Sequence, residues 1–243
     1  MTLPQDDPVA VALQRAIQSG DLDALQRLLA DHPGLAGARI GDAKGSRTPL
    51  LIAADWPGYF PNGARVVAML IAAGADPNDP TGGGGPDRET PLHYAASTDD
   101  AEVAKALIDG GADIEVAHGS IADGTPLTNA VGYGCWQVAD LLVAHGAKVE
   151  ALWQAAALGR MADVEAFFAA EPGPSQTDIN EAFYQACRGG QPRAAASLLE
   201  RGADLNSVPT YAHDEPPLAA ASTMPTRWGI LASWLREKGA KAE

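Results

Sequence analysis

The sequence has little with which to grip nucleic acid, enter lipid or cross-link itself. Lysine and arginine number 17 against 31 aspartates and glutamates, a formal net charge of −14. That sign opposes phosphate neutralisation and adsorption to anionic lipid, so neither nucleic acid nor a membrane is an expected partner. Two cysteines, Cys135 and Cys187, make no disulfide framework, and a reducing compartment follows. No apolar stretch reaches the length of a membrane span, and the opening MTLPQDDPVAVALQRAIQ lacks the basic start and continuous apolar core of a leader. A cytoplasmic protein is expected. Aromatic residues make up 6% of the chain although apolar ones reach 46%, and alanine supplies much of the difference. Small side chains let helices approach closely, which favours stacked helices.

What is present is a repeated pattern, clearest in TPLHYAASTDDAEVAKALIDGGAD at 90–113. Thr90 can cap a helix whose first position, Pro91, needs no N–H. Asp99, with Glu102 three residues on, offers a second cap, Val103, Ala106 and Leu107 form an apolar stripe, and Gly110–Gly111 ends it. Neither helix is long enough to be stable alone. Anchored on Leu92, the pattern has small residues at +3 and +4, an apolar pair at +15 and +16 and a glycine at +19. It returns on Leu13, Leu50, Leu127, Leu152, Phe183 and Leu218, with anchor spacings of 37, 42, 35, 25, 31 and 35. The units lie at about 8–32, 46–75, 88–112, 123–147, 149–171, 179–203 and 214–240.

These residues resemble the ankyrin repeat, whose T-P-L-H-x-A signature and period of about 33 residues match Thr90 to Ala95. TPLLIA at 48 and TPLTNA at 125 are close variants, and GAD or GAK recurs at 74, 111, 146, 202 and 239. The resemblance implies an all-α repeat solenoid of stacked helix-turn-helix units with short hairpin-like finger loops, read as one array over 1–243. The fifth and sixth units carry Glu150-Ala151 and Glu181-Ala182 in place of Thr-Pro, so looser helix starts are expected there.

The resemblance also implies a concave face of fingers and first helices that holds a partner. Carried over by position, its contact residues are Arg47, Asp55, Trp56, Glu89, Tyr94, Thr98, Asn129, Tyr133, Gln154, Gln185 and Arg188, with Trp153 beside them. Asn129, Gln154 and Gln185 would form a polar row, and Trp56, Tyr94 and Tyr133 an aromatic strip. Each could equally be an ordinary solvent-facing residue of an amphipathic helix. Residues 55–63, DWPGYFPNG, contain a five-residue insertion with three aromatics, which either pack on the adjacent unit or overhang the groove.

Catalytic chemistry has weaker support. For His93 the resemblance implies a structural bond to a neighbouring loop, and Asp76, Asp113 and Asp204 fit turn positions where a carboxylate binds local amides. Cys187 falls in a core slot, while Cys135, beside Trp136, could be exposed. Gly82–Gly85 lacks the Gly-Lys-Ser/Thr of a phosphate loop. The five histidines, at 32, 93, 118, 145 and 213, lack paired spacing, so no metal and no cofactor are expected. Acidic fingers with Asp87, Glu89, Asp123, Asp214 and Glu215, partly offset by Arg47 and Arg88, would suit a basic peptide. The expected function is a monomeric, non-enzymatic protein–protein interaction module binding a protein or peptide in the groove. The alternative is a small-molecule-binding protein or enzyme with a pocket between the concave face and the 55–63 loop, using Asp55, Tyr94 and Tyr133.

Overall fold

Thr-Pro helix starts organise the first half of the chain. In the computed structural model, which describes residues 1–42, 45–80, 88–212, 214–222 and 229–242, the contacts divide the chain into two units, Met1–Ala147 and Lys148–Glu243. The glycine run at 82–85, Asp87 and His213 lie outside the described residues.

The first unit begins with β1 (Thr2–Leu3), α1 (Pro8–Ser19) and α2 (Leu22–Asp31), followed by β2 (Arg39–Asp42) and β3 (Gly45–Arg47). The strands form a small sheet in which β2 pairs parallel with β1 and antiparallel with β3, Ile40 facing Arg47. Three helix pairs follow: α3 (Pro49–Ala54) with α4 (Gly63–Ala72), α5 (Pro91–Thr98) with α6 (Ala101–Asp109), and α7 (Pro126–Tyr133) with α8 (Trp136–Ala144). First helices pack in the row α1, α3, α5, α7 and second helices in the row α2, α4, α6, α8. Thr48, Thr90 and Thr125 sit at the caps with proline next, as their sequence demands.

The second unit holds α9 (Leu152–Ala157), α10 (Met161–Ala169), α11 (Gln176–Arg188), α12 (Pro192–Glu200), α13 (Pro217–Ala220) and α14 (Gly229–Glu237). Here α11 packs against α9, α12 and α13. All seven anchors are buried: Leu13, Leu50, Leu92, Leu127 and Phe183 fully, Leu152 and Leu218 nearly so. Within each unit the core is therefore the seam between paired helices, where large residues such as Leu50 with Leu70, Leu92 with Leu107, Leu127 with Leu142 and Phe183 with Leu198 pack among alanines. Gly74, Gly111, Gly146, Gly202 and Gly239 all adopt φ between +86° and +96°, the left-handed helix stop that a side chain would strain. At the end of the second unit Leu235 is buried and Trp234 half-buried, while Arg236 and Lys238 face solvent. The Lys238 ammonium lies 5.9 Å from the Trp234 ring centre.

Three expectations are corrected. Asp100, and not Asp99, caps α6 by accepting from Val103 N–H at 3.1 Å. Asp99 is left-handed (φ 58°) and ends α5, and its carboxylate accepts from Val138 N–H at 3.0 Å. The sixth helix pair starts at Gln176, earlier than 179, because Ser175 and Asp178 form a reciprocal capping box that starts a thirteen-residue helix. That start is firm despite the missing Thr-Pro. Cys135 is buried at 7% exposure, as the junction before α8 is covered.

Candidate functional site

His93 shows how a first helix is tied to the next finger. Thr90 N–H donates to His93 Nδ1 at 3.2 Å, so the ring proton resides on Nε2, which donates to Gly124 C=O at 3.2 Å. Burial, the largest cause, lowers its pKa from the ordinary 6.5, with His118 adding and the Gly124 bond and Glu89 opposing. The folded ring stays neutral where the unfolded one takes a proton, so this stability is complete above about pH 6.5 and is lost as pH falls. Unfolding free energies from urea melts are expected to decline from pH 7 to 5.5 by no more than about 1.4 kcal/mol per pH unit from this site. His93→Gln should flatten that slope. An unchanged slope would mean that His93 titrates normally.

Residues 55–63 leave the C-terminal end of α3 and are pinned at several points. The Arg47 guanidinium runs the length of this six-residue helix to pair with Asp55, whose other oxygen accepts from Trp56 N–H at 2.8 Å. Tyr59 N–H donates to Asp100 Oδ2 at 2.7 Å, and its hydroxyl donates to Asp99 C=O at 2.6 Å. Asn62 donates to Gly20 C=O at 3.0 Å. Burial, then Asp99 and Asp100, raise the Tyr59 pKa. The loop thus leans on its neighbouring turns, yet Trp56 is 80% exposed and Tyr59 60%. The aromatics form no private cluster.

The unit's finger at 118–124 folds down over α7. Ser120 Oγ lies 3.2 Å from Tyr133 OH, and a Cβ on Gly132 would come 3.0 Å from Ile121. Beneath it Asn129 is fully buried, donating to Glu89 Oε1 at 2.6 Å and accepting from Ile121 N–H at 3.2 Å. Ser120 N–H also donates to Glu89, at 2.8 Å. Tyr133 remains 48% exposed, while Tyr94 and Thr98 are half-buried. Thr98 bonds back to the Tyr94 carbonyl of its own helix at 3.2 Å. Among the described residues the one ring–ring contact is Tyr184 with Tyr211, so Trp56, Tyr94 and Tyr133 do not touch as a strip. A recess of about 370 Å³ beside the 55–63 loop is walled by Tyr59, Phe60, Asn62, Asp100, Glu102 and Gln137. Asp55, Tyr94 and Tyr133 do not line it.

The exposed polar row also fails in the second unit. Gln154 is 2% exposed, and its Oε1 accepts from Glu150 and Ala151 N–H at 2.9 and 3.2 Å, capping α9 where Thr-Pro is missing. Gln185, equally buried, donates to Tyr211 OH at 3.0 Å, while its Oε1 has no hydrogen-bond partner among the described residues. Glu181, Tyr184, Gln185 and Arg188 share one face of α11 by their i, i+3, i+4, i+7 spacing. The 3₁₀ turn Thr210–Ala212 covers that face, and Tyr184 OH donates to Glu215 Oε2 at 2.8 Å. Tyr211 stands edge-on to Tyr184 at 6.2 Å. Burial raises both hydroxyl pKa values above their ordinary range, and the charge of half-buried Arg188 acts against this. Trp153 is half-buried at the start of α9. Sequence spacing does not point to the contacts of Tyr59, Ser120 and Tyr211, because each is brought to its partners by a loop fold that no local spacing announces.

Comparison with known proteins bears on the same helix pairs. The comparison with curated proteins returned no match. Residues 59–152 match a family described as ankyrin repeats (3 copies). With Thr-Pro caps, left-handed glycine stops and buried anchors recurring in that stretch, residues 59–152 are ankyrin repeats.

Proposed function

We propose that this protein is a non-enzymatic interaction module that holds one protein or peptide partner on the concave face of its first helices and fingers. Ankyrin repeats are in general protein–protein interaction modules, and the observation that carries the reading here is Trp56, 80% exposed on a loop pinned by Tyr59 and Asn62. A large aromatic held rigidly in water costs little entropy to dock and is the kind of anchor that dominates binding energy. Residues 1–147 carry eight lysines and arginines against 19 aspartates and glutamates, a net −11, which favours a basic partner. The reading treats 1–243 as one cooperative array, monomeric and cytoplasmic.

The test is affinity capture from native lysate with proteins and small metabolites identified in one eluate. Trp56→Ala and Tyr133→Ala should each weaken capture by about tenfold or more, as loss of anchors does, with the melting temperature nearly unchanged. Unaltered capture by both variants would place the partner elsewhere. The second reading, small-molecule binding or catalysis, draws on the recess beside the 55–63 loop. Glu102→Gln, at the wall of that recess, separates the two: a module loses at most modest affinity, whereas an enzyme using that carboxylate keeps binding and loses turnover by roughly 10²-fold or more.

A further inference from the structure

A recess of about 340 Å³ opens in the second unit between α9, α10 and the start of α11. Trp153 and Phe167 contribute rings, Pro172 and Pro174 a stiff apolar rim, and Asp178 and Glu181 the anionic wall. The rings are half-buried against the unit's core, so their positions are set by packing. The carboxylates stand one turn apart on α11. Asp178 spends Oδ2 on the amide and hydroxyl of Ser175, at 2.9 and 2.7 Å. Glu181 is half-buried, with the Tyr211 hydroxyl as its hydrogen-bond partner. Burial and the neighbouring Asp178 charge raise its pKa, and only the Tyr211 bond acts the other way.

Rings beside one half-buried and one exposed carboxylate discriminate sharply among ligands. An anion would be repelled, and a neutral apolar group would deepen the desolvation of Glu181 without compensation. A cation on a hydrocarbon stem satisfies both walls, its stem and charge against the rings and its N–H groups toward the carboxylates. We propose that this recess is a binding site for an alkylammonium or guanidinium group, presented by a free small amine or by a lysine or arginine side chain of a peptide. It does not rest on the concave-face reading.

The test is calorimetry on the full chain with butylammonium, a hexapeptide with one central lysine, and the same peptide with norleucine. Saturable binding of butylammonium or the lysine peptide, and none of the norleucine peptide, is expected. Tighter binding of the lysine peptide assigns the site to a protein side chain, and binding of butylammonium alone assigns it to a free amine. Glu181→Gln keeps an acceptor for Tyr211 and should weaken binding about tenfold, the loss expected for a charge-assisted bond. Trp153→Phe, which preserves packing, should weaken it about threefold, since the indole is the better cation acceptor. Melting temperatures of both variants should match the parent, and Trp56→Ala should leave binding unchanged. No binding of either cation at millimolar concentration, equal binding of the norleucine peptide, or affinity untouched by both substitutions would overturn the site.

Discussion

Phe183→Ala is expected to cost about 3–5 kcal/mol of stability in urea unfolding, the range for truncating a buried phenylalanine. Among the described residues Phe183 is the largest fully buried side chain, and it lies on α11, the helix that packs against α9, α12 and α13. Ala155, Ala156, Ala182, Ala186, Ala194 and Ala195 are among the buried residues of the same core. Alanines have no side chain to swing into the space left behind, so the cavity should persist and place the loss toward the upper end. Ile230→Ala is the contrast, because Ile230 is 81% exposed and its truncation should change stability by no more than about 0.5 kcal/mol. Equal losses would mean that the α11 seam is not the core of this unit. The same melts examine the one-array proposal. One transition displaced as a whole by Phe183→Ala supports it, and two transitions of which one moves would sink it.

Gly20→Ala should cost roughly 2–5 kcal/mol, combining left-handed strain of about 1–2 with overpacking of about 1–3. Gly20 ends α1 at φ 65°, and a Cβ there would stand 1.9 Å from the Pro61 carbonyl oxygen of the inserted loop. That backbone cannot withdraw freely, because Asn62 binds the Gly20 carbonyl and Tyr59 binds Asp99 and Asp100. Gly34→Ala isolates the two contributions. Gly34 is also left-handed, at φ 87°, but nothing lies within 4 Å of where a Cβ would stand, so strain alone should cost about 1–2 kcal/mol. A Gly20 loss no greater than that of Gly34 would mean that the 55–63 loop is not seated on the first turn. In the interaction proposal this seat also holds Trp56 in place, so Gly20→Ala should weaken partner capture as well.

Local chemistry was legible at most positions where a residue acts on its own helix or turn, the Asp100 cap and the Ser175–Asp178 box being exceptions. The repeat register read from Leu13, Leu50, Leu92, Leu127, Leu152, Phe183 and Leu218 coincides with seven buried anchors, because apolar spacing and capping are decided within a few residues. The turn carboxylates behave likewise: Asp76, Asp113 and Asp204 accept from the amides of Asn78, Glu115 and Asn206, all at 2.9 Å. Tertiary structure alone decided what covers the first helices. Spacing places Asn129, Gln154 and Gln185 at equivalent points, but it cannot say whether water or a loop lies over them. For Asn129 and Gln185 the answer is a folded-down loop whose bonds reach 40 and 26 residues along the chain, to Glu89 and Tyr211. Residues 55–63 are likewise held by partners 41 and 42 residues away, Asp100 and Gly20. Buried polar groups must find hydrogen bonds, and those bonds come from whichever backbone the fold carries past them. That choice belongs to the folded chain, and it left Trp56, Tyr59 and Tyr133 in solvent while the amides beside them were closed over.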